Sequence, residues 1–166
     1  MTRFLPDEPF PAYAYTPGRD PHPVRDRRGH SYGVQSPATP APDPRRWRDS
    51  HDYLRGIDLF NAGYYWEAHE SWEGLWNASA QAGSTAMLLQ ALIALAAAGL
   101  KLRAGNDIGT AAHARRADGL LEKVVGEAGP RFMGLDISSL QQEARAIPER
   151  AAAPGLAVLG FMLRPE

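Results

Sequence analysis

From Pro44 onward the apolar positions of this chain recur at helical spacing, and no run alternates with the period of two that marks a half-buried strand. Trp47, Tyr53, Leu54, Ile57 and Phe60 mark the inward face of a helix over 45–61, which Gly63 stops. A second helix is predicted over 65–78. The turn Gln81-Ala82-Gly83-Ser84 follows, with Ser84 placed to cap a third helix over 85–104. That third segment is apolar nearly all round, with Met87, Leu88, Leu89, Ala91, Leu92, Ile93, Leu95 and Leu100, so it is read as the buried central element. Gly105-Asn106-Asp107 separates it from a fourth helix over 108–126, with Leu120, Leu121, Val124 and Val125 facing inward. A loop from Gly129-Pro130 to Gly134 leads to a fifth helix, capped by Asp136 or Ser138 and running to about Arg150. The predicted fold class is all-α. One bundle of about five helices over 45–153 carries an N-terminal arm, 1–44, and a tail, 154–166.

The arm follows different rules. It holds ten of the fourteen prolines, which preclude regular helix, and residues 36–44 read as a polyproline spacer. Phe10, Tyr13, Tyr15 and Tyr32 argue against a fully solvated tail, so residues 9–34 are expected to pack on the bundle. At the other end the apolar cluster from Leu156 to Leu163, with Val158, Phe161 and Met162, docks either on its own body or on a second copy, as a homo-oligomer.

Composition narrows the function classes. The formal net charge is −1, so no general basic field favours nucleic acid or an anionic membrane. Residues 1–48 carry a net of +3, which suits an arm lying on a more acidic body. Without cysteine there are no disulfides, thiolate metal sites or cysteine nucleophiles. The first residues are broken by proline and acids before an apolar region develops, unlike a signal peptide, and the apolar run Met87–Leu100 is short for a membrane span. A cytoplasmic location is expected.

Candidate chemistry concentrates in the run Gly63–Trp76, where one histidine, three glutamates and three tryptophans share fewer than three helical turns after Tyr65. Tyr65, His69, Trp72, Glu73 and Trp76 fall within one arc of about 100°. His69 and Glu73, four residues apart, can hold one divalent cation (zinc, manganese or iron), with Glu70 as a base for water; the pattern H-E-x-x-E is a relative of the metalloprotease H-E-x-x-H. Two other readings stand beside it: a helix-spaced hydrogen-bonded pair that binds nothing, and metal-free acid/base chemistry. His113, on the inward arc of the fourth helix, is either a core histidine or a third ligand. Gln90 and Lys101 share a face of the central helix with Ala94 and Ala97 between them, a stripe that lines a narrow pocket or lets another helix approach closely. Tyr65, Trp72, Trp76 and Gln90 offer a surface for a small-molecule substrate. His22 and His30 are placed to close over the site if the arm is ordered.

The blocks Phe60–Trp76, Leu89-Gln90-Ala91-Leu92-Ile93, Lys101, Gly105-Asn106 and Gly134-Leu135-Asp136, in that order, resemble the small prokaryotic proteins catalogued as domain of unknown function family 309. The likeness covers roughly residues 50–145. It implies an all-helical bundle around a buried helix, and members are often labelled predicted metal-dependent hydrolases. The motif positions here are Glu67, His69, Glu70, Glu73, Gln90 and Lys101, which makes Glu67, Glu70 and Lys101 the expected catalytic groups. The expected function is a metal-dependent hydrolase; the rival is a non-catalytic scaffold or oligomerisation module whose polar cluster only specifies helix packing.

Overall fold

The computed structural model describes residues 3–35, 38–151 and 158–166. The first two residues of the expected spacer, the boundary expected at 153/154 and the start of the apolar tail lie outside the described residues. The chain is an all-α bundle of five helices: α1 His51–Asn61, α2 Tyr65–Ala78, α3 Gly83–Arg103, α4 Asp107–Ala128 and α5 Ile137–Ala151. Each helix packs on the next in sequence, which places α3 in the middle of the series with α2 and α4 as its partners.

Local sequence explains the breaks. α1 and α3 end alike, with glycine in the left-handed region, Gly63 at φ 81° and Gly105 at φ 69°. At α1 the Tyr64 N–H donates to the Leu59 carbonyl and Gly63 to Phe60; at α3 Asn106 donates to Lys101 and Gly105 to Leu102. These paired bonds satisfy the last free carbonyls of each helix in a Schellman motif. The Asn106 side chain accepts from Gly109 N–H at 2.7 Å and so starts α4. Asp136 accepts from Ser139 N–H at 2.8 Å and starts α5.

Several expectations need correcting. The first helix begins at His51, because Ser50 is extended (ψ 99°) and Trp47–Asp49 form a separate 3-10 turn. Ser84 does not cap α3. It lies within the first turn, behind Ala82, and its hydroxyl donates to Glu127 of α4 at 3.1 Å. The loop after Pro130 contains a minimal antiparallel pair, β1 Arg131–Phe132 with β2 Leu135–Asp136, turning at Met133-Gly134.

α3 is buried along its length, from Ala86 through Leu88, Leu89, Leu92 and Leu95 to Leu102. It is also longer than its apolar run, and by length and composition it is long and apolar enough to cross a membrane, although 61% of that window is buried inside the bundle. The tail packs on its own body: Leu159 and Leu163 are buried, Phe161 lies 5.7 Å from Phe60, and Leu163 exchanges two hydrogen bonds with the Asn61 side chain.

The arm is ordered against α1 and α2. Asp58, 1% exposed on α1, accepts from the backbone N–H of Phe4 and of Leu5, each at 2.9 Å. Phe10 stacks on Tyr64 at 5.1 Å. Tyr15 and His22 meet Trp66 edge-on at 5.7 and 5.6 Å. Aromatic anchors in a proline-rich segment thus replace the hydrogen-bond ladder that the segment cannot form.

Candidate functional site

Three neighbours divide the circumference of α2. Toward α1, Trp72 is fully buried, and its indole N–H donates to the Tyr53 carbonyl at 3.3 Å. Gly56 makes room for it: a Cβ there would lie 2.2 Å from Trp72 Nε1. Toward α3, the Tyr65 ring lies against Gly99, and its hydroxyl accepts from Leu159 N–H at 3.0 Å. Burial pushes the Tyr65 phenol above its ordinary range. Trp72 and Tyr65 were expected to meet substrate; both are core residues that seat the helix instead.

The rest of the face opens on a cleft of about 210 Å³ between α2, α3 and α4, lined by His69, Glu73, Trp76, Gln90, His113 and Arg116, with Ile93, Ala94 and Ala97 as its apolar floor. The stripe of small residues on α3 therefore lines a pocket. Lys101 does not line it; its charge is felt by His113 and it forms no ion pair among the described residues. Burial lowers the His113 pKa, and the nearby Lys101, Arg116 and His69 add to the effect, so the imidazole is held neutral with a free lone pair.

His69, Glu70 and Glu73 form a cluster whose potential ligand atoms all lie within 4.8 Å of one another. His69 Nδ1 is 3.5 Å from Glu70 Oε1 and 4.0 Å from Glu73 Oε2. It is buried and makes no hydrogen bond, and the Trp76 indole N–H is likewise buried without a partner. The hydrogen-bonded pair considered for His69 and Glu73 is therefore not formed in this conformation.

Glu67 is not part of this cluster. Its side chain, 5% exposed, turns to the arm, where Oε1 accepts from Tyr15 N–H at 3.0 Å and lies 2.9 Å from His30 Nε2. Glu67, Glu70 and Glu73 line a second, larger cleft between α2 and the arm, so Glu73 stands on the ridge between the two. His30 thus meets Glu67, and His22 meets Trp66, rather than covering the His69 cluster. Arg116 was missed by sequence reading. Its only signal is a position three residues after His113, which puts both on one face of α4.

The fold and site define a class, a small helical bundle with a histidine/carboxylate cluster on its second helix, beside a cleft that the third and fourth helices complete. Residues 53–112 match the model of a family described as Domain of unknown function (DUF309), the same family that the order of the motifs resembles. The matched segment runs from Tyr53 in α1 to Ala112 in α4 and contains the whole cluster, ending one residue before His113. No curated protein matches the chain.

Proposed function

We propose that this protein is a metal-dependent hydrolase whose His69 and Glu73 hold a divalent cation at the mouth of the α2/α3/α4 cleft. The observation that carries this reading is the His69 Nδ1 atom, buried and without a hydrogen bond, with carboxylate oxygens at 3.5 and 4.0 Å. Those separations exceed a good hydrogen bond. Atoms about 2.1 Å from a tetrahedral centre stand about 3.4 Å apart, so His69 and Glu73, at 4.0 Å, would draw slightly together to share one ion. His113 offers a neutral imidazole to the same cleft from the facing helix, outside the cluster of potential ligand atoms. Zinc, manganese and iron(II) all accept this nitrogen and oxygen donor set.

A bound cation supplies Lewis acidity toward a carbonyl or phosphoryl oxygen. The residues do the rest. Glu70, exposed beside His69, takes a proton from the attacking water. The unpaired Trp76 N–H, the Gln90 amide and the Arg116 guanidinium converge on the same cleft, where they orient a substrate oxygen and offset charge that develops on it. The cleft admits only a small group, so the greater part of a substrate lies outside it.

Titration with cobalt(II), followed by visible absorption, tests the reading. One equivalent should bind to the parent and none to His69→Ala. Glu70→Gln should still bind cobalt while cation-stimulated hydrolysis of p-nitrophenyl esters falls by a factor of about 10²–10⁴, the usual worth of a general base. Cobalt binding that survives in His69→Ala would refute the assignment.

A further inference from the structure

The second cleft, about 820 Å³, lies between α2 and the proline-rich arm. Glu67, Glu70 and Glu73 lie along α2 at steps of three residues, so their carboxylates descend one side of the cleft at intervals of about 4.5 Å along the axis. A row of acids does not make a site. Glu67 adds an independent observation: it is 5% exposed, it lines the cleft, and its Oε2 is buried with no hydrogen-bond partner. No lysine or arginine pairs with it among the described residues. Arg55, which also lines the cleft, is taken by the Glu8 carboxylate at 3.1 Å and the Pro9 carbonyl at 2.6 Å.

His30 engages only the other oxygen: its Nε2 lies 2.9 Å from Glu67 Oε1, and its Nδ1 lies 2.9 Å from the Ser31 hydroxyl. One carboxylate oxygen is therefore left without a donor among the described residues. Trp66 lines the same cleft.

We propose that this cleft binds an aliphatic amine. A primary ammonium group sits at Glu67 beside Trp66, and the carbon chain runs along α2 toward Glu70 and Glu73. An ammonium brings three donors and a compact positive charge, which complements an unpaired carboxylate oxygen in an acidic trough. Six residues of helix separate Glu67 from Glu73, about 9 Å, so the far end of such a ligand reaches the His69 cluster. That this far end carries the bond to be cleaved rests on the hydrolase reading above; the ammonium site does not.

The test is calorimetric titration of the full-length protein with 1,4-diaminobutane, both after chelator treatment and after reloading with manganese. Saturable binding with one diamine per chain is expected in both states. Glu67→Gln retains an acceptor for Tyr15 and His30, and should weaken diamine binding at least tenfold while leaving manganese uptake unchanged. Gly74→Arg is a second probe: Gly74 lines the cleft, an added Cβ meets nothing within 4 Å, and the new guanidinium should abolish diamine binding. No saturable binding by the parent would overturn the proposal, as would equal binding by the parent and both variants. If diamine binds and is lost in the variants while manganese is never taken up, the ammonium site stands and the hydrolase reading falls.

Discussion

Gly56→Ala is the sharpest test of how α2 is seated. The added methyl would stand 2.2 Å from Trp72 Nε1 and 2.4 Å from its Cε2. Trp72 cannot yield, being fully buried, bonded to the Tyr53 carbonyl and 5.9 Å from the Phe60 ring. Normal contact near 3.5 Å therefore requires α1 and α2 to separate by roughly 1.3 Å. Overpacking of this kind costs about 1–3 kcal/mol, against a gain of about 0.5–1 kcal/mol from replacing glycine within a helix. At the middle of those ranges the net destabilisation is about 1 kcal/mol, which lowers the melting temperature by roughly 2–4 °C for a domain of this size. Gly74→Ala is the matched control: its Cβ meets nothing within 4 Å, so only the helix gain of about 0.5–1 kcal/mol remains, and the melting temperature should rise. Differential scanning calorimetry of the two variants gives opposite signs. Gly56→Ala melting at or above the parent would refute the close seating of Trp72.

Gly99→Ala should destabilise by a similar amount, because the methyl would stand 2.7 Å from the Tyr65 ring; thermal denaturation checks this. Asp58→Ala removes the acceptor of two backbone N–H groups of the arm, and loss of even one such charge-assisted bond, about 1.5–3 kcal/mol, should speed hydrogen exchange at residues 3–10 by roughly tenfold or more. His51 is bonded to Asp52 of α1 and to Glu8 of the arm, and both carboxylates raise its pKa. A raised folded-state value stabilises below the unfolded value of about 6.5 and is lost as pH rises through the folded one. Melting temperature should therefore fall across that window in the parent and fall less in His51→Gln.

The helices were legible because their apolar positions repeat and their stops are chemical: Gly63 and Gly105 adopt the left-handed backbone that those endings need. The arm's docking was legible in its aromatic residues. What each side of α2 faces was not. Tyr65, His69, Trp72, Glu73 and Trp76 share one arc of a helical wheel, yet a wheel does not say where one neighbour ends and the next begins. Gly56 on α1 admits Trp72 to the core, Gly99 on α3 admits Tyr65, and only His69, Glu73 and Trp76 are left facing the cleft. Glu67 found its partners, Tyr15 and His30, in a segment 52 and 37 residues earlier, and nothing near Glu67 in sequence announces them. Likewise Ser84 has the right residue type to cap α3 but lies two residues past the N-cap, where Glu127 of α4 accepts from its hydroxyl.

Elemental analysis of protein purified without tags or chelators, beside a His69→Ala/Glu73→Ala double variant, decides whether His69 and Glu73 hold a cation. The cation reading predicts close to one equivalent of zinc, manganese or iron in the parent and none in a double variant that keeps its helical circular dichroism. A parent that stays metal-free after incubation with all three ions, or a double variant that retains the parent's metal, would contradict it.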